Sequence, residues 1–207
     1  ELKTASTRLI LDVGLPLVDA DREPFDQRRI RGKSIDELIA EGTVPNVPGL
    51  FTAGPPPDAV LLSHCHLDHV GLLKFIKPDI PIHASKGTSQ MMLAGAVFSR
   101  QQSLDKDQYR EVKSGQNLTI GDFTVTPFPV DHSSYGANAF LLEANGQSLL
   151  YSGDLRMHGR KPGMVKDLMA DVGPKNINVL LIEGTHFGSN RTEDRNEYQL
   201  ETEILQE

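Results

Sequence analysis

Five short apolar runs in this chain each lead to a residue type that binds metal ions. Leu9-Ile10-Leu11 leads to Asp12, Val60-Leu61-Leu62 to His64, Phe128-Pro129-Val130 to His132, Leu149-Leu150-Tyr151 to Asp154, and Val179-Leu180-Leu181-Ile182 to Glu183. Short apolar runs bounded by turn residues read as buried strands. Strands that share sheet edges bring such tips together, at the place where mixed α and β folds usually bind ligands. The pattern therefore demands a sheet protein with one polar focus, built from groups far apart in sequence.

The densest part of that focus is Ser63-His64-Cys65-His66-Leu67-Asp68-His69, with three histidines and an aspartate in six positions. Imidazole and carboxylate together suit zinc and its first-row neighbours, and buried imidazoles need partners. In an extended chain His64 and His66 point the same way and Cys65 points away, so Cys65 is expected to pack rather than to ligate. Asp68 and His69 fall at the start of the next helix, where they can serve a second cation; two-metal sites have separations of about 3.5–4 Å.

The remaining chain reads as alternating elements. Residues 15–57 are rich in proline, carry a charged helix-like piece from Arg28 to Glu41, and look like an insertion or lid over the core. Helices are expected from Asp68 to Ile76, Lys86 to Arg100 and Gly163 to Val172, and the end from Thr192 is helix-prone. Short strands are expected at Ile80 to Ala84, on either side of Gly121-Asp122, and around Asn145-Gly146, a strong hairpin signal. His83 and His158 have no ligand-like neighbours and read as satisfied or solvated imidazoles. Arg156, Arg160 and Lys161 form a small basic group, either a phosphate contact or a solvated loop.

At 207 residues, 38% hydrophobic and 24% charged, the chain fits one globular domain spanning 1–207. No apolar run approaches the roughly twenty residues needed to span a bilayer, so no membrane partner is expected. A net charge of −7 argues against wholesale electrostatic binding to nucleic acid but leaves room for a locally positive site. The single cysteine favours a reducing, cytoplasmic setting. The chain starts at Glu1 rather than Met, and its acidic end lacks a helix cap, which reads as a break within an element. A homo-oligomer remains open.

His64, His66, Asp68 and His69 match the HxHxDH signature, and through it the chain resembles the metallo-β-lactamase superfamily from about Thr7 to His186. The resemblance implies an α+β fold, an αββα sandwich incomplete at the carboxyl end. It implies that His64, His66 and His132 hold a first Zn2+, and that Asp68, His69 and Asp154 face a second, with Asp154 bridging. Asp12 then orients ligands by hydrogen bonding. Tyr151-Ser152-Gly153-Asp154 and Glu183-Gly184-Thr185 are similar to the β-CASP branch that processes nucleic acids, with residues 187–207 as the start of a truncated cap or of a further segment. That branch carries later histidine motifs, absent here, one of which completes the second site. The second metal is therefore expected to bind more weakly, with Mn2+ as an alternative ion and His186 as a candidate substitute ligand.

The resemblance implies hydrolysis by metal-bound hydroxide, with RNA or another phosphodiester as substrate. Asp68 and Glu183 are the candidate catalytic acids, Asp68 to align water or move its proton and Glu183 to orient a ligand. Two other readings keep the metals: hydrolysis of a thioester or other small ester, and a metal-binding fragment without activity alone.

Overall fold

A computed structural model describes residues 1–99, 101–184 and 195–206. Two five-stranded sheets lie face to face. The first runs β1 (Leu2–Lys3), β2 (Arg8–Leu11), β3 (Ala59–Leu61), β4 (Ile82–Ser85) and β5 (Tyr109–Val112) in that spatial order. Strands β2 to β5 are parallel and β1 is antiparallel to β2. The second contains β6 (Leu118–Ile120), β7 (Phe123–Pro129), β8 (Asn138–Ala144), β9 (Gln147–Tyr151) and β10 (Val179–Leu181). Its members are antiparallel except that β10 runs parallel to β9.

The period of two along each strand sorts side chains into three apolar layers. Leu9, Ala59 and Leu61 face Val125, Phe140 and Leu142 between the sheets. Ile10, Val60, Leu62, Ile82 and Ala84 turn the other way, against α1 (Ile35–Ala40), α2 (Leu67–Val70) and α3 (Lys86–Ser99). Ala139 and Leu141 of β8 turn outward from the sandwich onto Leu168 and Val172 of α4 (Gly163–Val172). Each fully buried Leu, Val or Phe contributes about 1.5–3 kcal/mol by leaving water, so β2, β3 and β7 are well anchored. This is the αββα sandwich the sequence implies. β10, which leads to Glu183, departs from the buried strand its apolar run implies, because it lies at the edge of its sheet with Val179, Leu180 and Leu181 exposed.

Residues 15–57 contribute Leu15, Ile30, Leu38, Val44, Leu50 and Phe51 to the helix-side core. The helix expected from Arg28 to Glu41 is broken. A 3-10 turn covers Gln27–Ile30, Gly32-Lys33 interrupts it, and α1 restarts behind a Ser34/Glu37 capping box. The helix expected to reach Ile76 also divides, into α2 and a 3-10 turn at Leu73–Phe75. Asn145 and Gly146 both have positive φ, 52° and 73°, as the tight β8–β9 hairpin requires. A last helix, α5 (Glu197–Ile204), stands on an Asn196/Gln199 capping box. No helix among the described residues is long and apolar enough to cross a membrane.

His83, on β4, is expected to be satisfied or solvated, and its Nδ1 is neither: it is buried and has no hydrogen-bond partner among the described residues. Burial, helped by the Arg110 guanidinium, pushes its pKa down to about 4. The unfolded imidazole, near 6.5, takes up a proton first on acidification, so the fold loses stability as pH falls from about 6.5 toward 4. A His83→Phe chain should lose less of its thermal midpoint than the parent over that window in a metal-free melting series.

Candidate metal centre

Every strand tip named in the sequence pattern reaches one end of the sandwich. Asp12 follows β2 and its backbone N–H donates to Leu61 O at 2.9 Å, so the tips of β2 and β3 stay in register. Ser63 and His64, both 0% exposed, follow β3. From the facing sheet, β7 runs on to Asp131-His132 and β9 to Ser152-Gly153-Asp154. The Asn138 N–H donates to Ser63 O at 2.9 Å and ties the two sheets together beside the site. Gly153 has φ +54°, and a Cβ there would sit 2.7 Å from Ser63 Cβ, so only glycine lets the β9 tip approach this closely.

Two donor groups result: His64, His66, His132 and Asp154, and, sharing Asp154, Asp68 and His69; within each group the ligand atoms lie within 4.8 Å of one another. In the first, His66 Nδ1 is 3.1 Å from His64 Nε2 and 3.0 Å from His132 Nε2. A tetrahedral ion with zinc–nitrogen bonds of 2.0–2.1 Å sets its ligand nitrogens about 3.3 Å apart. The imidazoles are thus close to the spacing a zinc-sized ion demands. Asp154 Oδ2 stands 3.8 Å from His64 Nε2 and 3.6 Å from His132 Nε2, while its Oδ1 is 3.2 Å from His69 Nε2. One carboxylate therefore faces both groups. Asp68 Oδ2 is 3.6 Å from His69 Nε2.

The polar contacts behind the ligands fix which nitrogens carry lone pairs. Asp12, as a carboxylate, accepts from Ser63 N at 2.7 Å, Ser63 Oγ at 2.6 Å, Tyr151 OH at 2.6 Å and His69 Nδ1 at 2.7 Å. Because Ser63 Oγ–H is spent on Asp12, that oxygen accepts from His64 Nδ1–H at 3.0 Å, which leaves His64 Nε2 unprotonated and aimed at the first group. His69 likewise donates through Nδ1 to Asp12, and its Nε2 turns toward the second group, where it donates to Asp154 Oδ1 at 3.2 Å and would give up that proton to an ion. Asp12 itself sits at φ 50°, a left-handed conformation that Asp tolerates better than most residues. Ser63 and Tyr151 carry no ligand chemistry, and sequence reasoning gives neither a role of its own, although Tyr151 opens the Tyr151-Ser152-Gly153-Asp154 motif; Ser63 is signalled only by its place before the first histidine.

The electrostatics separate the histidines. Burial pushes His64 down, and so do the neighbouring His69 and His132; burial also lowers His132. Burial acts on His69 in the same direction, but its hydrogen bonds to Asp12 and Asp154 outweigh it and raise His69 to about 10. The His69 hydrogen bond holds Asp154 below the usual carboxylate range. Burial and the Asp12 charge raise the Tyr151 phenol, which stays a hydrogen-bond donor.

Glu183 is placed differently from Asp68. Its Oε1 accepts from Leu155 N at 2.7 Å, one residue past Asp154, so it braces the loop that carries the shared carboxylate. Cys65 packs against the helix-side core, with Sγ 3.1 Å from Ser134 Oγ, outside both donor groups. Arg156 Nε meets Asp131 Oδ1 at 3.2 Å, and Arg160 pairs with Glu201 at 2.8 Å. His158 belongs to neither group. Thr185 and His186 lie outside the described residues.

Comparison with known proteins bears on the family and the fold. Residues 36–199 match the family model described as the β-lactamase superfamily domain. Ribonuclease J of Mycobacterium tuberculosis is 30% identical over 135 residues, which make up 62% of this chain and 24% of that protein. A probable ribonuclease of Methanocaldococcus jannaschii, RNase MJ4, is 26% identical over 218 residues, covering 97% of this chain and 45% of that one. The chain thus spans less than half the length of either relative. Among solved structures, a protein of unknown function from Enterococcus faecalis superposes with a TM-score of 0.75 at 21% identity, over 98% of this chain and 52% of that one. A subclass B3 metallo-β-lactamase of Bradyrhizobium japonicum superposes with a TM-score of 0.52 at 18% identity, over 87% of this chain and 68% of that one. The family match, the two-sheet sandwich and the imidazole and carboxylate groups at its edge together make this chain a member of the metallo-β-lactamase superfamily.

Proposed function

We propose that the chain is the metal-dependent hydrolytic part of a ribonuclease, cutting phosphodiester bonds in RNA. The observation that carries this reading is the pair of donor groups sharing Asp154, three imidazoles on one side and Asp68 with His69 on the other. The ribonuclease names of the relatives point to the substrate. His64, His66 and His132 would hold a zinc ion, and Asp68, His69 and Asp154 a second divalent ion, zinc or manganese. Such ions lower the pKa of water to about 7 and offset charge on the departing oxygen, as two-metal phosphodiesterases require.

The chain's own residues supply the rest. Asp68, half-buried beside His69, is suited to orient the attacking water and accept its proton. Asp12, through Ser63 and directly, holds His64 and His69 in the tautomers that ligate. Glu183 acts as a positioning residue by fixing the backbone after Asp154. One cysteine, half-buried at position 65, suits a cytoplasmic enzyme.

The test is a side-by-side assay of zinc-loaded chain on single-stranded RNA and on a small thioester. Cleavage of RNA that stops on chelation and returns with zinc is expected. Thioester turnover with RNA left intact would replace this reading with hydrolysis of small acyl compounds, and metal uptake without turnover of either would leave only a metal-binding piece.

A further inference from the structure

Beside the metal centre, and sharing His132 with it, lies a cavity of about 570 Å³. That is within the roughly 300–1,000 Å³ range of small-molecule and cofactor sites. Its lining is unusual for a chain of net charge −7: Lys86, Lys113, Arg156, Arg160 and Lys161 contribute cations, against Glu111 and Asp131. Asp131 is 5% exposed and its carboxylate is already engaged, by Arg156 Nε at 3.2 Å and by Lys161 N at 2.6 Å. Arg156 and Arg160 are likewise paired, with Glu197 and Glu201 of α5. Lys86, Lys113 and Lys161 are exposed and have no ion-pair partner among the described residues. Three lysines without an ion-pair partner among the described residues thus line one cavity, with Glu111 as the one acid in its wall not paired with a cation among those residues.

We propose that this cavity binds a phosphate of the nucleotide chain next to the one presented to the metal centre, so that the substrate is an oligonucleotide and not an isolated ester. The inference rests on the phosphodiesterase reading above and adds a binding site to it. Lysines serve here as point charges for backbone phosphate, which gives affinity without base preference. Their separation from the metal ligands in the chain, on the start of α3, after β5 and after Asp154, means that the folded sandwich and not one loop creates the positive wall.

The experiment measures binding of a fluorescent single-stranded oligoribonucleotide to the metal-loaded full chain across a salt series. It is run alongside hydrolysis of bis(p-nitrophenyl) phosphate, a diester with no flanking phosphate. Neutralising Lys113→Gln and Lys161→Gln should lower the slope of log affinity against log salt by about 0.7 per lysine, the single-strand value for one phosphate contact. The oligonucleotide's kcat/KM should fall by at least about tenfold more than that of the small diester, a difference of about 1.4 kcal/mol. Lys166→Gln, on an exposed α4 position outside the lining, should change neither.

An unaltered salt slope in the double variant, with the parent still binding and cutting RNA, overturns the cavity assignment and leaves the phosphodiesterase reading intact. A parent that turns over the small diester but does not bind the oligonucleotide overturns both this assignment and RNA as the substrate. A parent that binds the oligonucleotide with the lysine-dependent slope yet cuts no phosphodiester supports the cavity and sinks the proposed reaction.

Discussion

An Asp12→Asn chain is expected to bind the ion of the Asp68, His69 and Asp154 group roughly 10- to 100-fold more weakly than the parent, the range typical of lost outer partners of metal ligands. Asp12 accepts four hydrogen bonds, from Ser63 N, Ser63 Oγ, His69 Nδ1 and Tyr151 OH. An amide offers one acceptor oxygen and turns an NH2 group toward donors that have nothing else to face. Either His69 loses the partner that fixes its tautomer, or Ser63 does and passes the error to His64. The backbone is not the cause, because Asn tolerates the φ of 50° that Asp12 adopts. Each buried donor left unmatched should also cost about 1–3 kcal/mol of folding free energy. Competition against a chelator reads the affinity and denaturant melts of metal-free chain read the stability; an unchanged affinity would remove Asp12 from this role.

His132→Ala should reduce turnover by more than the roughly 100-fold seen for outer partners, because it deletes a first-group nitrogen outright. It should also lower metal uptake while leaving the far-ultraviolet circular dichroism intact. His132 is the better target than His64 for separating chemistry from folding. Its imidazole is half-buried at the sandwich edge, whereas His64 is 0% exposed and its truncation would leave a cavity under the β3 tip. Normal turnover by a folded His132→Ala chain would show that the imidazole groups are not where the reaction happens.

Much of the architecture was readable because burial writes a local signature. Strands such as Ala59–Leu61 and Asn138–Ala144 are almost wholly buried, so apolar runs mark them, and the His64 that follows the first and the Asn145-Gly146 hairpin that ends the second mark how they are arranged. Tyr109–Val112 left no such trace: Arg110 and Glu111 are exposed on an edge strand, and only Val112 reaches the core. Helices also failed at their joints. Gly32-Lys33 and the Gly71 end of α2 break runs whose composition alone reads as continuous, since tertiary packing decides where a weak helix stops. In the site, residues with a ligand chemistry of their own were legible. Ser63 acts by hydrogen bonding to Asp12 at the neighbouring strand tip and to His64, and Tyr151 by hydrogen bonding to Asp12 from the facing sheet; the two lie 51 and 139 residues from Asp12, and no local pattern encodes such contacts.

Anomalous scattering at the zinc absorption edge, from crystals of the zinc-loaded chain, tests the central claim most directly. A strong peak is expected among His64 Nε2, His66 Nδ1 and His132 Nε2, with a weaker one between Asp68, His69 and Asp154. Zinc bound elsewhere on the surface, with no peak within coordinating distance of His132 and His66, would contradict the account.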